Sequence, residues 1–575
     1  MAEDLLCKRH NRIDSALKSK KESYRVTQLR QKLREGTIPA PEKFGTYSIG
    51  WQDGLDPEQI SGMPESVKWW ISCLGFLRSL FVDDRLSDND AHICRTIIEG
   101  WHNRNSLNRD LDTRYWDGHA VALRTIVLVD VFHKHKDNSY LESILWDHLH
   151  FLADDKNFQG NWNHGIDQAH ALLIAANHLE CEQSKDIALS RLAAALNTIV
   201  DDDGVTIEQA IHYQLYNLTQ IGIAIDLVSG MENGKTLVHS LLKRRELMKT
   251  FLAHATKPDG KYVEIGDTPP QLAESLPNSD AEYAATLGAQ GVPPVETVRV
   301  YNGGYVFGRS GWGEARPFSE ESHYSLRFGP PRIIHGHNDH GSITYFRQGV
   351  DILRDGGFHG YTNDDIRFYL RLAEAHNTVT ILEPKLKFIG RESPLVERQV
   401  DGTRQLFRIV LKQYDGVTHT RTVVFVREPE AIVVVDTVES EKTVTAQQRW
   451  HFGERLRLSR TSDGLVQAND GFVEIRQHYP YDALKVFNPE DPENPSVVAS
   501  DKLYETNKSP LIVTERTGQE ISFLTTFSFS SPGGGQVTFE ERKVASNGIR
   551  RSLLLRSDTA SQRILFLEGG RIICG

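Results

Sequence analysis

The chain changes its hydrophobic periodicity once, close to residue 290, and this change limits the folds that it can adopt. Before that point apolar residues recur at helical spacing, for example at Ala171, Leu172, Ala175 and Leu179. Similar segments, separated by short polar breaks, cover 119–135, 184–200 and 219–231. Many medium-length helices with short connections predict stacked antiparallel helix pairs.

Beyond the proline-containing break at 287–298, the period of the hydrophobic pattern becomes two. The segment 420–440 consists of two β-branched runs around a turn, and turns rich in glycine and proline recur. Only 364–375 keeps a helical pattern. We therefore expect an α domain over 1–290, followed by an antiparallel β-sandwich over 297–575.

Charge and composition narrow the class of ligand. The chain has 575 residues, and 66 Lys and Arg against 77 Asp and Glu give a net charge of −11. A general nucleic-acid binder carries a basic field, so we expect no nucleic-acid partner.

The five cysteines form no CxxC pair, which is typical of free thiols in a reducing compartment. They are Cys7, Cys73, Cys94, Cys181 and Cys574.

The distribution of apolar residues also bears on export and membrane insertion. The first 21 residues contain no apolar core of a signal peptide, and no run of 18 apolar residues occurs. We expect a cytoplasmic protein with no membrane partner, or a periplasmic one if a leader has been removed. No pattern indicates an oligomeric state.

The densest cluster of reactive side chains lies in 332–377. In a strand His335 and His337 would point to one face, and Asp355 and His376 follow at spacings that suit neighbouring strands. Zn²⁺ is commonly coordinated by such a set, which consists of two imidazoles, a carboxylate and a further histidine. Independent core or surface histidines are the alternative interpretation.

A second alternative comes from the same residues. His335, His337, Asp339 and His340 also fit the HxHxDH pattern of metallo-β-lactamase-fold hydrolases, which bind two zinc ions. That fold needs alternating strands and helices around the motif, whereas the downstream half of this chain has an almost purely strand-like pattern.

Two segments of the helical half also carry candidate site residues. Asn163 and His164 stand at the entry to a helix, where an asparagine can equally serve as an N-cap. Glu208 and Tyr213 lie at a transition from loop to helix, where the tyrosine can equally be a packing residue. Trp116 is one of several tryptophans that either stack on a sugar or belong to the core.

These residues together resemble the heparinase II/III-like family of polysaccharide lyases, from about residue 60 onwards. The motif His335-Gly-His337-x-Asp339 is followed by Asp355-Gly-Gly and by 375–379, Ala-His-Asn-Thr-Val. The opening stretch 301–312 is similar to the first strands of the family's β domain. The resemblance implies an incomplete N-terminal α/α toroid followed by an antiparallel β-sandwich.

The resemblance also assigns roles to individual residues. It implies that His337, Asp355 and His376 hold a metal, expected to be a structural Zn²⁺, and that His335 lines the active cleft. Asn163 and His164 match the family's Asn-His pair.

Further matches lie in the helical half. Glu208 and Tyr213 keep the spacing of the family's E-x-S-P-x-Y-H motif but lack Ser-Pro and the final His, so Tyr216 is an alternative to Tyr213. His119 and Arg124 resemble a motif near the cleft. Basic residues could bind a carboxylate or sulfate, or could equally be surface charges or form internal ion pairs; they are Arg124, Arg332, Arg367 and Arg371.

The implied activity is β-elimination at a uronic acid of an acidic poly- or oligosaccharide. The carboxylate must be neutralised, the C5 proton removed and the leaving oxygen protonated. Asn163 with His164 would perform the first task, and Tyr213 with His335 the other two. Tyr213 could do both in a syn elimination, or act as the acid beside His335 as the base in an anti elimination. A hydrolase on the same scaffold and a non-catalytic glycan-binding protein are the competing functions.

Overall fold

The computed structural model describes most of the chain. The described residues are 20–40, 47–52, 55, 60, 62–81, 86–105, 115–134, 138–361, 364–385, 387–502, 504–530, 537–546, 549–558, 560–567 and 572–574. They divide between two compact units, one made of 1–201 and 217–245 and the other of 202–216 and 246–575. The domain limits predicted at 290 and 297 stay a prediction.

The first unit is built from helices joined by short connections. Its helices are α1 (Lys20–Arg34), α2 (Glu65–Ser72), α3 (Asp88–Arg104), α4 (Gly118–Lys134), α5 (Tyr140–Ala153), α6 (Asn163–His178) and α7 (Glu182–Ile199). A short hairpin joins β1 (Thr37–Pro39) to β2 (Ser48–Gly50). Helices α8 (Ile211–Val228) and α9 (Lys235–His254) contribute residues to both units.

Helix α6 shows why these segments are helical and how they pack. Its apolar residues recur at spacings of three and four, and Ile166, Leu172 and Leu173 are fully buried. It contacts α4, α5 and α7. At its first turn a Cβ on Gly165 would lie 1.7 Å from the carbonyl oxygen of Gly160, so only glycine fits there.

The second unit contains most of the strands. They are β3 (Val298–Tyr301), β4 (Tyr305–Arg309), β5 (His323–Arg327), β6 (Ile343–Arg347), β7 (Val350–Leu353), β8 (Val379–Glu383), β9 (Leu395–Val400), β10 (Arg404–Leu411), β11 (Val417–Arg427), β12 (Glu430–His451), β13 (Leu458–Ser462), β14 (Leu465–Ala468), β15 (Val473–Gln477), β16 (Ala483–Phe487), β17 (Val498–Ala499), β18 (Thr506–Asn507), β19 (Leu511–Phe529), β20 (Thr538–Ser546), β21 (Ile549–Arg556), β22 (Ser561–Leu567) and β23 (Ile572–Cys574). The short helices α10 (Asp280–Ala285) and α11 (Asp365–Leu370) accompany them.

Three sheets of the second unit lie face to face. Strands β3 to β7 form a five-stranded sheet, β8 to β16 with β19 a ten-stranded sheet, and β20 to β23 a four-stranded sheet. Side chains such as Leu326 and Ile343 pack against Phe425 and Trp450 between the first two sheets. A separate apolar layer joins the ten-stranded sheet to the C-terminal one. The ten-stranded sheet is therefore covered on both faces, which explains the continuous apolar runs in its central strands.

The predicted order of an α region followed by antiparallel sheets is confirmed. The predicted turn in 420–440 joins β11 to β12, with Arg427 paired to Glu430. Of the predicted thiols, Cys73 and Cys94 are buried and free and Cys181 is half-buried and free. Cys7 and the side chain of Cys574 lie outside the described residues. Within the described part, none of the helices is long and apolar enough to cross a membrane.

Candidate active site and metal cluster

The loop between β5 and β6 carries His335, and Gln209 holds that loop in place. The Gln209 side chain donates to the Pro331 carbonyl at 2.9 Å and accepts from the Ile333 N–H at 3.0 Å. A Cβ on Gly336 would lie 2.3 Å from Gln209 Oε1, so the glycine allows this close approach. The strand predicted at His335 was wrong, because the segment is a turn clamped by side-chain hydrogen bonds.

Asp267 is a buried carboxylate that the two loop histidines share. Its Oδ2 lies 3.0 Å from His335 Nδ1, and its Oδ1 lies 3.1 Å from His337 Nε2. Arg367 donates to both oxygens, at 3.1 and 2.8 Å. Burial alone would raise the pKa of Asp267, but hydrogen bonds from His335, His337 and Arg367 hold it well below its usual range. Asp267 is therefore ionised at neutral pH.

Tyr213, in the first turn of α8, lies directly against His335. The two rings are stacked, with centroids 3.5 Å apart and an interplanar angle of 12°. The Tyr213 hydroxyl lies 2.5 Å from the hydroxyl of Tyr361. Burial and then the neighbouring Tyr361 raise the pKa of Tyr213 well above its usual value, and partial burial raises the pKa of Tyr361 to about 12. Both phenols therefore keep their protons at neutral pH.

His337, Asp355 and His376 form a buried cluster with the donor set of a metal site. Potential ligand atoms of the three residues all lie within 4.8 Å of one another. His337 Nδ1 and His376 Nε2 are buried without a hydrogen-bond partner, which is costly unless something else binds them. Two imidazoles and a carboxylate match the ligands that Zn²⁺ prefers.

The backbone around the cluster is fixed by Asn377 and by the glycines after Asp355. The Asn377 amide donates to the Ile343 carbonyl at 2.7 Å and to the Arg354 carbonyl at 2.9 Å. Gly357 has a φ of +67°, in the left-handed region that favours glycine, and its N–H donates to Asp355. The predicted cluster residues thus meet at strand ends and loops, not on strands as the spacing suggested.

Asp339 and His340 have other contacts. Asp339 Oδ2 accepts from the guanidinium of Arg327 at 3.2 Å, and both side chains are buried. His340 Nε2 lies 2.8 Å from the Pro330 carbonyl. Neither residue belongs to the three-residue metal cluster, so the geometry does not support the two-zinc HxHxDH alternative.

A second group of site candidates lies in the first unit, where α6 begins. His164 is exposed, stacks on the ring of His119 with centroids 4.0 Å apart, and has its Nδ1 3.1 Å from the side-chain oxygen of Gln159. His119 Nε2 lies 3.0 Å from Asp167. Half-buried Asn163 accepts from the His164 N–H through its side chain. The structure thus brings His119, Asn163 and His164 together.

Two other predicted substrate-binding residues of the first unit pack inside it. Arg124 is fully buried, with its guanidinium 3.8 Å from the Trp101 ring and hydrogen-bonded to His148 and to the Ser72 carbonyl. Trp116 is half-buried and lies 5.2 Å from the His148 ring. The geometry gives Arg124 a packing position because its charged group does not reach the surface.

The remaining predicted residues lie in the second unit. Glu208 is fully buried, which leaves its side chain no exposed surface to offer a sugar. Arg371 is half-buried and donates to the Ile334 carbonyl at 3.0 Å, and burial and then Arg332 lower its pKa. Tyr216 lies 6.0 Å from Tyr213 between ring centroids.

Sequence reasoning missed Asp267 and Tyr361, and of the two interpretations given for Arg367 the structure shows the internal ion pair, with Asp267. Asp267 stands in the segment Ile265-Gly-Asp-Thr-Pro, which has no histidine or cysteine near it to mark it as reactive. Gly266, with a φ of +61°, is the one local signal, because it marks a turn where the chain approaches other backbone closely.

The fold and the site define a protein with a helical region, antiparallel β-sheets and a histidine-rich centre. Residues 302–551 match the family described as Heparinase II/III-like, C-terminal. This match confirms the resemblance to the heparinase II/III-like family over that part of the chain. None of the curated proteins matches the chain.

Solved structures with a similar fold cover nearly the whole chain. A heparan sulfate lyase mutant from Pedobacter heparinus has a TM-score of 0.71 at 18% identity, covering 94% of this chain and 88% of its own. A heparinase III structure has a TM-score of 0.74 at 16% identity, with 94% and 90% covered. A chondroitin AC lyase from Streptomyces coelicolor A3 has a TM-score of 0.57 at 12% identity, with 96% and 85% covered. At these identities the likeness establishes the fold.

Proposed function

We propose that this protein is a polysaccharide lyase that cleaves an acidic, uronic-acid-containing glycan by β-elimination. The pairing of His335 with Tyr213 carries the proposal, because it sets a potential base against a protonated phenol. The family match and the similar structures, which are named as heparan sulfate and chondroitin lyases, support a glycosaminoglycan or a related acidic glycan as substrate.

The roles follow from the contacts of each side chain. His335 Nδ1 is hydrogen-bonded to Asp267, so Nε2 is the nitrogen that takes the C5 proton. The electron pair of the C5–H bond forms the C4–C5 double bond, the C4–O bond breaks, and Tyr213 gives its proton to the leaving oxygen. The raised pKa of Tyr213 supports this assignment, since a phenol is the form that can donate.

The resemblance assigns neutralisation of the uronate carboxylate to Asn163 and His164. Their position at the beginning of α6 is consistent with this role, because helix N-termini favour negative charge. This part of the proposal is tested by substitution in the first unit alone.

The direct test of the activity follows the ultraviolet absorbance of the unsaturated uronate. Wild type, His335→Ala and Tyr213→Phe would be incubated with heparan sulfate, chondroitin sulfate and alginate, with the exposed His92→Ala on α3 as a matched control. We expect absorbance to rise with wild type and His92→Ala on at least one glycan. New reducing ends without that absorbance would identify a hydrolase instead.

A synthetic uronoside with a good leaving group at C4 separates the acid from the base. Such a leaving group needs no proton, so Tyr213→Phe should regain most of its activity on this substrate, while His335→Ala keeps its full loss of activity. If both variants keep their full losses on it, Tyr213 is not the acid and the assignment of roles is overturned.

We also propose that His337, Asp355 and His376 hold a structural Zn²⁺. The buried nitrogens without partners on His337 and His376 support this, and a bound ion would link loops at the ends of three strands. Metal analysis of the purified protein should give about one zinc per chain, and His376→Ala should lose it. Wild-type protein that remains metal-free after purification in zinc would contradict the proposal.

A further inference from the structure

Asp267 makes contacts with four nitrogens of three side chains while having no exposed surface of its own. Oδ2 contacts His335 Nδ1 at 3.0 Å and one Arg367 nitrogen at 2.8 Å. Oδ1 contacts His337 Nε2 and the other Arg367 nitrogen, both at 3.1 Å. The carboxylate therefore joins the candidate base to one residue of the metal cluster.

From these contacts we infer that Asp267 is a positioning residue that fixes the tautomers of His335 and His337 together. An ionised carboxylate can only accept hydrogen bonds, so both nitrogens that face it carry protons. The lone pair of His335 is then on Nε2, where the proposed elimination needs a base. The lone pair of His337 is on Nδ1, which is buried and has no hydrogen-bond partner.

Arg367 and the backbone make this arrangement rigid. The Arg367 guanidinium contacts both carboxylate oxygens in a fork, which fixes the plane of the carboxylate and offsets its charge. The Asp267 N–H donates to the His335 carbonyl at 2.9 Å, so the same residue holds both the ring and the backbone of His335. A carboxylate that orients a metal-binding histidine is a common means of tuning the affinity of a site.

The tautomers themselves can be measured without any substrate. In protein labelled with ¹⁵N-histidine, long-range proton–nitrogen correlations distinguish Nδ1–H from Nε2–H rings, and His335→Ala and His337→Ala would assign the two signals. We expect His335 to be protonated on Nδ1 and His337 on Nε2. The opposite tautomer at either residue in the wild type would overturn the inference.

The variant Asp267→Asn tests the consequence for function. Its amide can donate to a ring nitrogen and so reverse the tautomer, as in other histidine–carboxylate pairs where kcat falls by about 10⁴-fold. We expect kcat to fall by roughly 10²- to 10⁴-fold with little change in KM, and the affinity for Zn²⁺, measured against a competing chelator, to fall by about 10- to 100-fold. The surface variant Asp501→Asn, which loses an exposed ion pair with Lys261, is the matched control.

A double substitution separates positioning from general structural damage. In a His335→Ala background kept saturated with Zn²⁺, Asp267→Asn should lower kcat by no more than about twofold, because the imidazole that it positions for catalysis is already gone. A full additional loss there, or unchanged kcat and zinc affinity in the single variant, would overturn the inference.

The effect on kcat rests on the proposed function, whereas the tautomers and the zinc affinity do not. A wild type that forms no unsaturated product, but shows both expected tautomers, would refute the lyase proposal and support the positioning role of Asp267.

Discussion

The molecule uses the same local arrangement twice, once in each unit, with different degrees of burial. In the second unit His335 stacks on Tyr213 and lies 3.0 Å from Asp267. In the first unit His119 stacks on His164 and likewise lies 3.0 Å from an aspartate, Asp167. Each histidine thus has one nitrogen held by a carboxylate and one face covered by a second ring.

The surroundings of the two pairs differ. Asp267 is fully buried and has further contacts with His337 and Arg367, whereas His164 is exposed at the beginning of a helix. A buried network holds its members in one geometry, which suits proton transfer. A pair in which one ring is exposed and the other half-buried can adjust to a ligand, which suits binding of a charged group. The comparison predicts that substitutions in the second unit lower kcat and those in the first raise KM.

The largest expected effect separates the two histidines directly. His335→Ala should lower kcat by roughly 10²- to 10⁴-fold, the usual contribution of a general base. His119→Ala should instead mainly raise KM, since the His119 ring only supports the exposed His164. Steady-state kinetics on the same glycan measures both. Equal losses of kcat in the two variants would show that burial does not distinguish their roles.

The metal cluster gives the next largest effect, this time on stability. His376 Nδ1 lies 3.0 Å from Asp355, and both side chains are fully buried. Asp355→Ala leaves His376 without its charge partner, which costs about 3–5 kcal/mol for a buried pair. Urea unfolding and zinc content should both fall. A stable variant with full zinc occupancy would exclude Asp355 as a ligand.

The candidate metal cluster could be found from the sequence because its residues are chemically distinctive and close together. His337, Asp355 and His376 lie within one segment and match a family motif. Their local structure was harder to predict, since the HxH pattern fits a strand as well as a turn. The turn is set by Gln209, which is more than 120 positions away in the sequence and clamps the loop through its side chain.

Asp267 shows the limit of the same reasoning. It is separated from His335 by 68 positions, and an aspartate in a Gly-Asp-Thr-Pro turn is a common turn residue. Only the tertiary structure shows that two histidines and an arginine share it.

The change of period near residue 290 predicted the helical and strand regions, because periodicity depends on which face is buried. It did not show how the strands divide among three sheets, since the central strands of the ten-stranded sheet are covered on both faces and have no alternation.

An intermediate effect is expected in the first unit. Asn163→Ala and His164→Ala should raise KM for a charged glycan about 10- to 100-fold, as expected for one lost hydrogen bond to a charged group. Stability should change by less than about 0.5 kcal/mol, because the side chains are half-buried and exposed. Kinetics at increasing salt would check the electrostatic origin. An unchanged KM in both variants would remove these residues from the carboxylate-binding role.

The smallest expected effect concerns the hydroxyl of Tyr361. Its contact with Tyr213 helps raise the pKa of that phenol, so Tyr361→Phe should lower the pKa of Tyr213. If Tyr213 is the acid, activity is lost where it deprotonates, and the alkaline limb of the kcat–pH profile should move to lower pH. The loss of one hydrogen bond limits the change in kcat to about tenfold.

Tyr361 is 56% exposed, so its substitution should leave the unfolding temperature unchanged. Tyr481→Phe, which removes another exposed hydroxyl, is the matched control. An alkaline limb that moves upward or stays fixed in Tyr361→Phe would contradict the assignment of Tyr213 as the acid. The comparison of the two units would then rest on His335 and Asp267 alone, with the proton of the leaving oxygen coming from another group.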